Sequence, residues 1–232
     1  MLDDLKKEVR QANLALVADK LVSGTFGNVS AIDRESGHVV IKPSGMAYDI
    51  MKPRDMVVVS LDTGQVVEGG LRPSTDTPTH LALYRAFEAI GGIAHTHSTY
   101  ATAWAQGRRD IPVLGTTHAD YFHGPVPCTR AMTSQEIGKD YEANIGKVIA
   151  ERFVQIDAMA VPGVLVANHG PFTWGRSSGE AAGTAAQLEH LAMLAAWTVN
   201  IEPYPKPVGR ALLDRHYSRK HGPAAYYGQD SR

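Results

Sequence analysis

The apolar residues of this chain change their spacing several times, and that change restricts the fold more than any other feature. Leu2, Leu5, Val9, Ala12 and Leu16 recur every three or four positions, which places them on one face of an opening helix. Val39-Val40-Ile41 and Met56-Val57-Val58-Val59 are instead short β-branched runs bounded by Gly or Pro, the mark of strands, with a turn signal at Lys42-Pro43-Ser44-Gly45 between them. Thr77-Pro78 reads as an N-cap followed by proline at the first position of a helix from about Pro78 to Glu88. The stretches 91–97 and 163–170 read as two more strands, each entered through glycine. Capping boxes at Thr133/Glu136 and Ser177/Glu180 open helices near 134–154 and 178–199. This order predicts one α/β domain in which helices cover both faces of a mixed or antiparallel sheet.

Length and composition narrow the function classes. A chain of 232 residues with 44% hydrophobic and 20% charged side chains can bury a full core as a single large domain. A formal net charge of −1 argues against a nucleic-acid binder that works by covering phosphates. Charged residues from Asp3 to Arg10 interrupt the place where a signal peptide needs its apolar stretch, and no apolar run approaches the ~20 residues of a membrane span. Cys128 is the only cysteine, so the expected setting is a reducing cytoplasm, with no membrane partner. Lys206, Arg210, Arg215, Arg219 and Lys220 face Asp214 alone in the tail. That stretch suggests either an anionic partner or a solvated helix face.

Ten histidines are the unusual count. His95 and His97 lie two apart in a strand-like segment, where alternation points both imidazoles to one side and lets them chelate. His169 ends another apolar run just before a glycine and makes a third candidate ligand; Asp76, ahead of a predicted helix, is either a fourth oxygen ligand or an N-terminal cap. No Cys-x-x-Cys accompanies them, so an open catalytic ion fits better than a structural zinc knot. Three loops, Gly24–Asn28, Lys42–Gly45 and Pro73–Thr75, offer backbone amides, hydroxyl or amide donors and one lysine, the groups a phosphate or sugar needs. Asp120, in the small-residue loop Gly115–Asp120, is a candidate general acid or base. The Tyr226-Tyr227 pair in a polar tail suggests docking against a neighbouring subunit, where a phenol can also give a proton.

Taken together, Gly27-Asn28-Val29-Ser30, Ile41–Gly45, Ser74–His80, His95-Thr96-His97-Ser98, Gly115–Tyr121, His169–Phe172, His216–Gly222 and Tyr226–Gln229 resemble the class II aldolase and ribulose-phosphate epimerase superfamily from one end of the chain to the other. The resemblance implies a three-layer α/β/α sandwich around a mixed, largely antiparallel sheet, in a homotetramer with active sites between adjacent subunits. It assigns zinc, or Mn2+ or Co2+, to His95, His97 and His169 with Asp76. Substrate contacts go to Gly27, Asn28, Lys42, Ser44, Gly45, Ser74 and Thr75. Proton transfer goes to Asp120 and Tyr227 on opposite sides of the substrate, with His216 and Arg219 in support from the neighbouring subunit. The implied reaction interconverts the phosphorylated pentuloses L-ribulose 5-phosphate and D-xylulose 5-phosphate by cleaving and remaking the C3–C4 bond. Simple enolisation cannot do this, because the hydrogen on carbon 4 is not adjacent to the carbonyl. No Gly-x-Gly-x-x-Gly follows a strand, so a hydride route lacks a nicotinamide site. The competing expectations are an aldolase that releases the fragments and a non-catalytic zinc or sugar-phosphate binding protein. The aspartate at position 76, where the related aldolases carry a longer glutamate base, favours the epimerase.

Overall fold

The computed structural model describes residues 2–222 and 225–228. In chain order the elements are α1 (Asp3–Ala18), β1 (Asn28–Asp33), β2 (His38–Ile41), β3 (Val57–Ser60), β4 (Val66–Glu68), α2 (Thr77–Ala86) and β5 (Gly92–His95). There follow α3 (Thr99–Gln106), α4 (Thr116–Ala119), α5 (Ser134–Gly138), α6 (Tyr141–Arg152), β6 (Gly163–Val166), β7 (Gly170–Gly175), α7 (Ser178–Ile201) and α8 (Arg210–Lys220). Seven strands form one sheet in the order β4-β3-β2-β1-β5-β7-β6. Every named strand pair is antiparallel, and the parallel component of the expected mixed sheet appears only as an isolated bridge between Cys128 and Leu165.

Alternation along the central strands sorts side chains between two cores. Val29, Ala31, Val40, Val58 and Ala94 face α1 and the start of α7, where Val9, Ala12, Leu16, Ala181 and Ala185 meet them. Ile32, Val39, Ile41, Val57, Val59, Ile93, Phe172 and Trp174 face the layer that holds α2 and α6. The result is an α/β/α sandwich. Val9 and Leu16 are fully buried, each such side chain contributing about 1.5–3 kcal/mol, which is why the opening periodicity was a dependable helix signal.

Several boundaries differ from the sequence-based expectations for identifiable reasons. The N-cap of α2 is Asp76 rather than Thr77, although its carboxylate makes no capping bond. The helix expected over 134–154 is two helices, interrupted where Asp140 takes a left-handed φ of 55°. The strand expected to 170 stops at Val166. Asn168 turns the chain at φ 63°, and a further strand, β7, starts at Gly170. Strand β5 ends at His95, but Thr96 N still donates to Pro171 O at 3.4 Å, and the imidazoles of His95 and His97 lie on one side as expected, with their Nε2 atoms 3.1 Å apart. The basic tail forms α8, and its anions come from the chain itself: Arg219 binds Asp120 and Arg210 binds Asp214.

Gly92 marks the tightest packing between sheet and helix layers. A Cβ there would lie 2.3 Å from the Ser177 carbonyl oxygen and 2.4 Å from the Ser178 nitrogen, both backbone atoms at the start of α7. Backbone cannot rotate away, so Gly92→Ala is expected to destabilise the fold by about 3 kcal/mol, a fall in melting temperature of roughly 10 °C. A thermal melt coincident with that of the wild type would refute this reading of the contact.

Candidate metal centre and sugar-phosphate cavity

The antiparallel register brings residues from distant parts of the chain to one edge of the sheet. Asn28, first in β1, pairs with His95, last in β5, and His95 pairs in turn with Phe172 of β7. His169 precedes β7 and Asp76 precedes α2, so the ends of four elements meet here. The Nε2 atoms of His97 and His169 lie 3.1 and 3.2 Å from Nε2 of His95, and the three ligand atoms all fall within 4.8 Å of one another. Tetrahedral ligands about 2 Å from one ion stand about 3.3 Å apart, so the spacing suits a shared divalent cation.

Hydrogen bonding supports that fit. His95 Nδ1 donates to the Pro171 carbonyl at 2.9 Å, which fixes its proton on Nδ1 and leaves an Nε2 lone pair facing the other two rings. Burial holds the pKa values of His95 and His97 below the ordinary imidazole value, and burial together with the other two histidines brings His169 to about 4. Neutral imidazoles are the form that ligates. The three histidines of the sequence reading can therefore hold a divalent metal. The fourth expected ligand stands apart: Asp76 is outside the convergent group, and its Oδ2 accepts a 2.6 Å hydrogen bond from Asn28 Nδ2. Burial alone would raise the Asp76 pKa, but the fields of His95 and His80 and the Asn28 bond outweigh it, leaving the carboxylate below its usual value.

The same edge holds a cavity of about 390 Å³ that contains the imidazoles and the three loops. Gly27, Asn28, Lys42, Ser44, Gly45, Ser74 and Thr75, to which the resemblance assigns substrate contacts, all line it. Two loops are pinned together: Ser44 N donates to Arg72 O, Ser74 N donates to Lys42 O, and Pro43 bridges Pro73. Gly27 has no substitute, because at φ 79° an added Cβ would come within 2.6 Å of Val22 Cγ1 and 3.0 Å of the His95 carbonyl. Lys42 is buried; its ammonium donates to Thr25 O at 3.1 Å and lies 4.7 Å from the centre of the Tyr48 ring, and burial lowers its pKa. Neither contact neutralises its charge. A phosphate in the cavity would.

Two lining residues went unnoticed in the sequence, Tyr141 and Glu142 at the start of α6. The Tyr141 hydroxyl lies 3.2 Å from His169 Nδ1, and burial with the charges of Glu142 and Asp76 raises its pKa. Nothing local in the sequence marks it, since the break at Asp140 that starts α6 there is not a recognisable cap.

The acid–base candidates form a second cluster, away from this lining. Asp120 is 6% exposed and accepts from Arg219 Nε at 2.7 Å and His216 Nδ1 at 3.1 Å, with a further bond from Arg219 Nη2 to Oδ2. Tyr227 is 62% exposed, and its ring lies 4.9 Å from the Arg219 guanidinium carbon. Within one chain, therefore, His216 and Arg219 hold Asp120 themselves. Within that chain Asp120 and Tyr227 both contact Arg219, and none of the four lines the cavity. Gln229, which closes the tail motif, lies outside the described residues.

Burial pushes the Asp120 pKa up, yet Arg219 and His216 outweigh it and the net direction is down. A carboxylate whose folded pKa is depressed adds stability above its unfolded pKa of about 3.9, and that stability is lost as pH falls through the folded value. The stability gap between wild type and Asp120→Asn should therefore be full at pH 7 and shrink from about pH 4 downward. Urea unfolding at pH 7 and pH 3.5 tests this, and an unchanged gap would contradict the ion-pair account.

The fold and the three-histidine edge define a family. The Class II Aldolase and Adducin N-terminal domain matches residues 7–196, and the chain belongs to that family. Among curated proteins it is 53% identical over 228 residues to the L-ribulose-5-phosphate 4-epimerase UlaF of Salmonella paratyphi C (strain RKS4594), covering 98% of this chain and 100% of that protein. An L-fuculose 1-phosphate aldolase superimposes with a TM-score of 0.78 at 28% identity over 93% of this chain and 95% of its own. YgbL from Klebsiella pneumoniae superimposes with a TM-score of 0.74 at 25% identity over 93% and 99%. None of the described helices is long and apolar enough to cross a membrane.

Proposed function

We propose that this chain is a metal-dependent L-ribulose-5-phosphate 4-epimerase of the cytoplasm, interconverting L-ribulose 5-phosphate and D-xylulose 5-phosphate by retro-aldol cleavage and re-formation of the C3–C4 bond. The observation that carries the reading is the convergence of three imidazole Nε2 atoms in the cavity that also contains the buried Lys42 and its loops. Near-complete coverage of UlaF at 53% identity supports the epimerase over other members of the family.

In this reading His95, His97 and His169 hold zinc, or Mn2+ or Co2+, with Asp76 beside them. Bound there, the ion supplies Lewis acidity that stabilises the negative charge left on neighbouring sugar oxygens when the bond breaks. Lys42, Ser44, Ser74, Thr75 and the amides of Gly27 and Gly45 grip the phosphate, which keeps the two-carbon aldehyde phosphate tethered while it turns to present its other face. Asn28 steadies the Asp76 carboxylate through their 2.6 Å bond. Asp120, held ionised by Arg219 and His216, takes the proton from the carbon 4 hydroxyl, and Tyr227 gives one when the bond re-forms.

The Asp120 cluster does not line the cavity of its own chain, so it must enter the cavity of a neighbour. The exposed aromatic residues Trp197, Tyr204, Tyr226 and Tyr227 fit a surface covered by other copies. We infer a homotetramer with active sites between adjacent subunits. Refolding a mixture of His97→Asn and Asp120→Asn chains, each inactive alone, should restore about a quarter of the sites, because a random neighbour pair then supplies both intact parts. Mixed chains without activity would argue against shared sites.

The decisive assay incubates the purified protein with L-ribulose 5-phosphate and separates the products. Conversion to D-xylulose 5-phosphate supports the epimerase. Accumulation of glycolaldehyde phosphate and dihydroxyacetone would assign an aldolase, the chemistry named for the L-fuculose 1-phosphate aldolase of similar fold.

A further inference from the structure

Tyr141 is the first residue of α6 and follows Asp140, whose left-handed φ of 55° redirects the chain. His169 likewise follows a left-handed residue, Asn168 at φ 63°, which is held by a 3.0 Å bond from Arg108 Nε. These two turns bring the Tyr141 hydroxyl to 3.2 Å from His169 Nδ1. The rings meet edge-on, with centroids 6.2 Å apart and planes at 62°, the geometry of an in-plane hydrogen bond rather than a stack.

The direction of that bond follows from the metal reading, on which this inference rests. A neutral imidazole carries one proton, and Nε2 of His169 faces Nε2 of His95 at 3.2 Å. When both Nε2 lone pairs point at one ion, the His169 proton must sit on Nδ1. The Tyr141 oxygen is the group it then donates to. As the acceptor in that bond, the phenol keeps its own proton free, and Tyr141 also lines the cavity.

The geometry points to a positioning role for Tyr141: its oxygen accepts the His169 Nδ1–H and so aims the Nε2 lone pair of that ring at the ion. Tyr141 is thus a positioning residue that acts on the metal through His169.

The test uses the full-length oligomer, stripped of metal and titrated with Co2+ against a chromophoric chelator. Tyr141→Phe keeps the ring and removes the bond to His169. Its Co2+ affinity should fall about 10-fold, as for other groups that orient a ligating imidazole. In a His169→Asn background the same change should leave Co2+ affinity unaltered, because the bond it removes is already gone. Coincident thermal melts of the metal-free wild type and Tyr141→Phe would confirm that packing is intact. A misfolded Phe variant would be replaced by Tyr141→Leu in the same titrations. Wild-type Co2+ affinity in the variant, or an equal Co2+ loss in the His169→Asn background, would overturn the positioning role. A wild-type chain that binds no Co2+ would overturn the metal reading itself, whereas Co2+ binding with no epimerisation would overturn only the proposed reaction.

Discussion

His97→Asn is expected to lose bound metal and turnover together, with activity falling about a thousandfold. The size follows from what the residue supplies. With His97 gone, two imidazoles remain, and a catalytic ion commonly needs three protein ligands while keeping one position open. The Lewis-acid contribution at stake is several kcal/mol, near three powers of ten in rate. The fold should survive. His97 lies past the end of β5 and is exposed, whereas the strand itself is anchored by Ile93 and Ala94 in the two cores. Metal analysis of the purified variant, a thermal melt of its metal-free form and a turnover assay separate the alternatives. Loss of metal with an intact fold and no turnover is the expected outcome. Full turnover with no bound metal would refute the scheme, and unfolding on metal removal from the wild type would instead favour a structural ion.

The three-histidine cluster is more legible in the sequence than the fold around it, and the reason is chemical. His95, His97 and His169 announce themselves because few residue types ligate, and a histidine at the end of an apolar run next to a glycine has little structural purpose. Strand β1 was invisible for the opposite reason. Its Asn28 and Ser30 occupy the face that an apolar pattern should fill, and they do so because Asn28 bonds Asp76 and Ser30 bonds His80 and Tyr84. Polar side chains satisfied by partners about fifty residues away break the alternation on which strand recognition depends. The basic stretch of α8 shows the same limit. Its Arg219 is spoken for by Asp120, 99 positions earlier, and only the folded chain reveals that the anionic partner lies within the molecule. Tyr141 was missed because an Asp140 in left-handed conformation carries no capping signature.

Lys42→Met should produce opposite changes in stability and substrate binding. The lysine is 2% exposed, its ammonium has a carbonyl and the face of an aromatic ring for company, and no carboxylate lies within ion-pair distance among the described residues. Burial lowers its pKa, so the folded state holds the charged form at a cost. Methionine keeps most of the apolar stem and deletes the charge, which should leave the metal-free protein as stable as the wild type or up to about 1 kcal/mol more stable. The phosphate loses its one buried cation. A hydrogen bond to a charged group is worth about 1.5–3 kcal/mol, so the KM for L-ribulose 5-phosphate should rise by roughly one to two powers of ten. Lys42 makes no hydrogen bond to the three imidazoles, and removing a positive charge from the shared cavity does not disfavour a cation, so Co2+ affinity should not fall. In the proposed reaction, a weaker grip on the two-carbon fragment should also let glycolaldehyde phosphate escape during turnover. Denaturant melts, Co2+ titration, steady-state kinetics and fragment analysis on one preparation test every part. A variant that is clearly less stable, with KM unchanged, would show that Lys42 serves the fold rather than the phosphate.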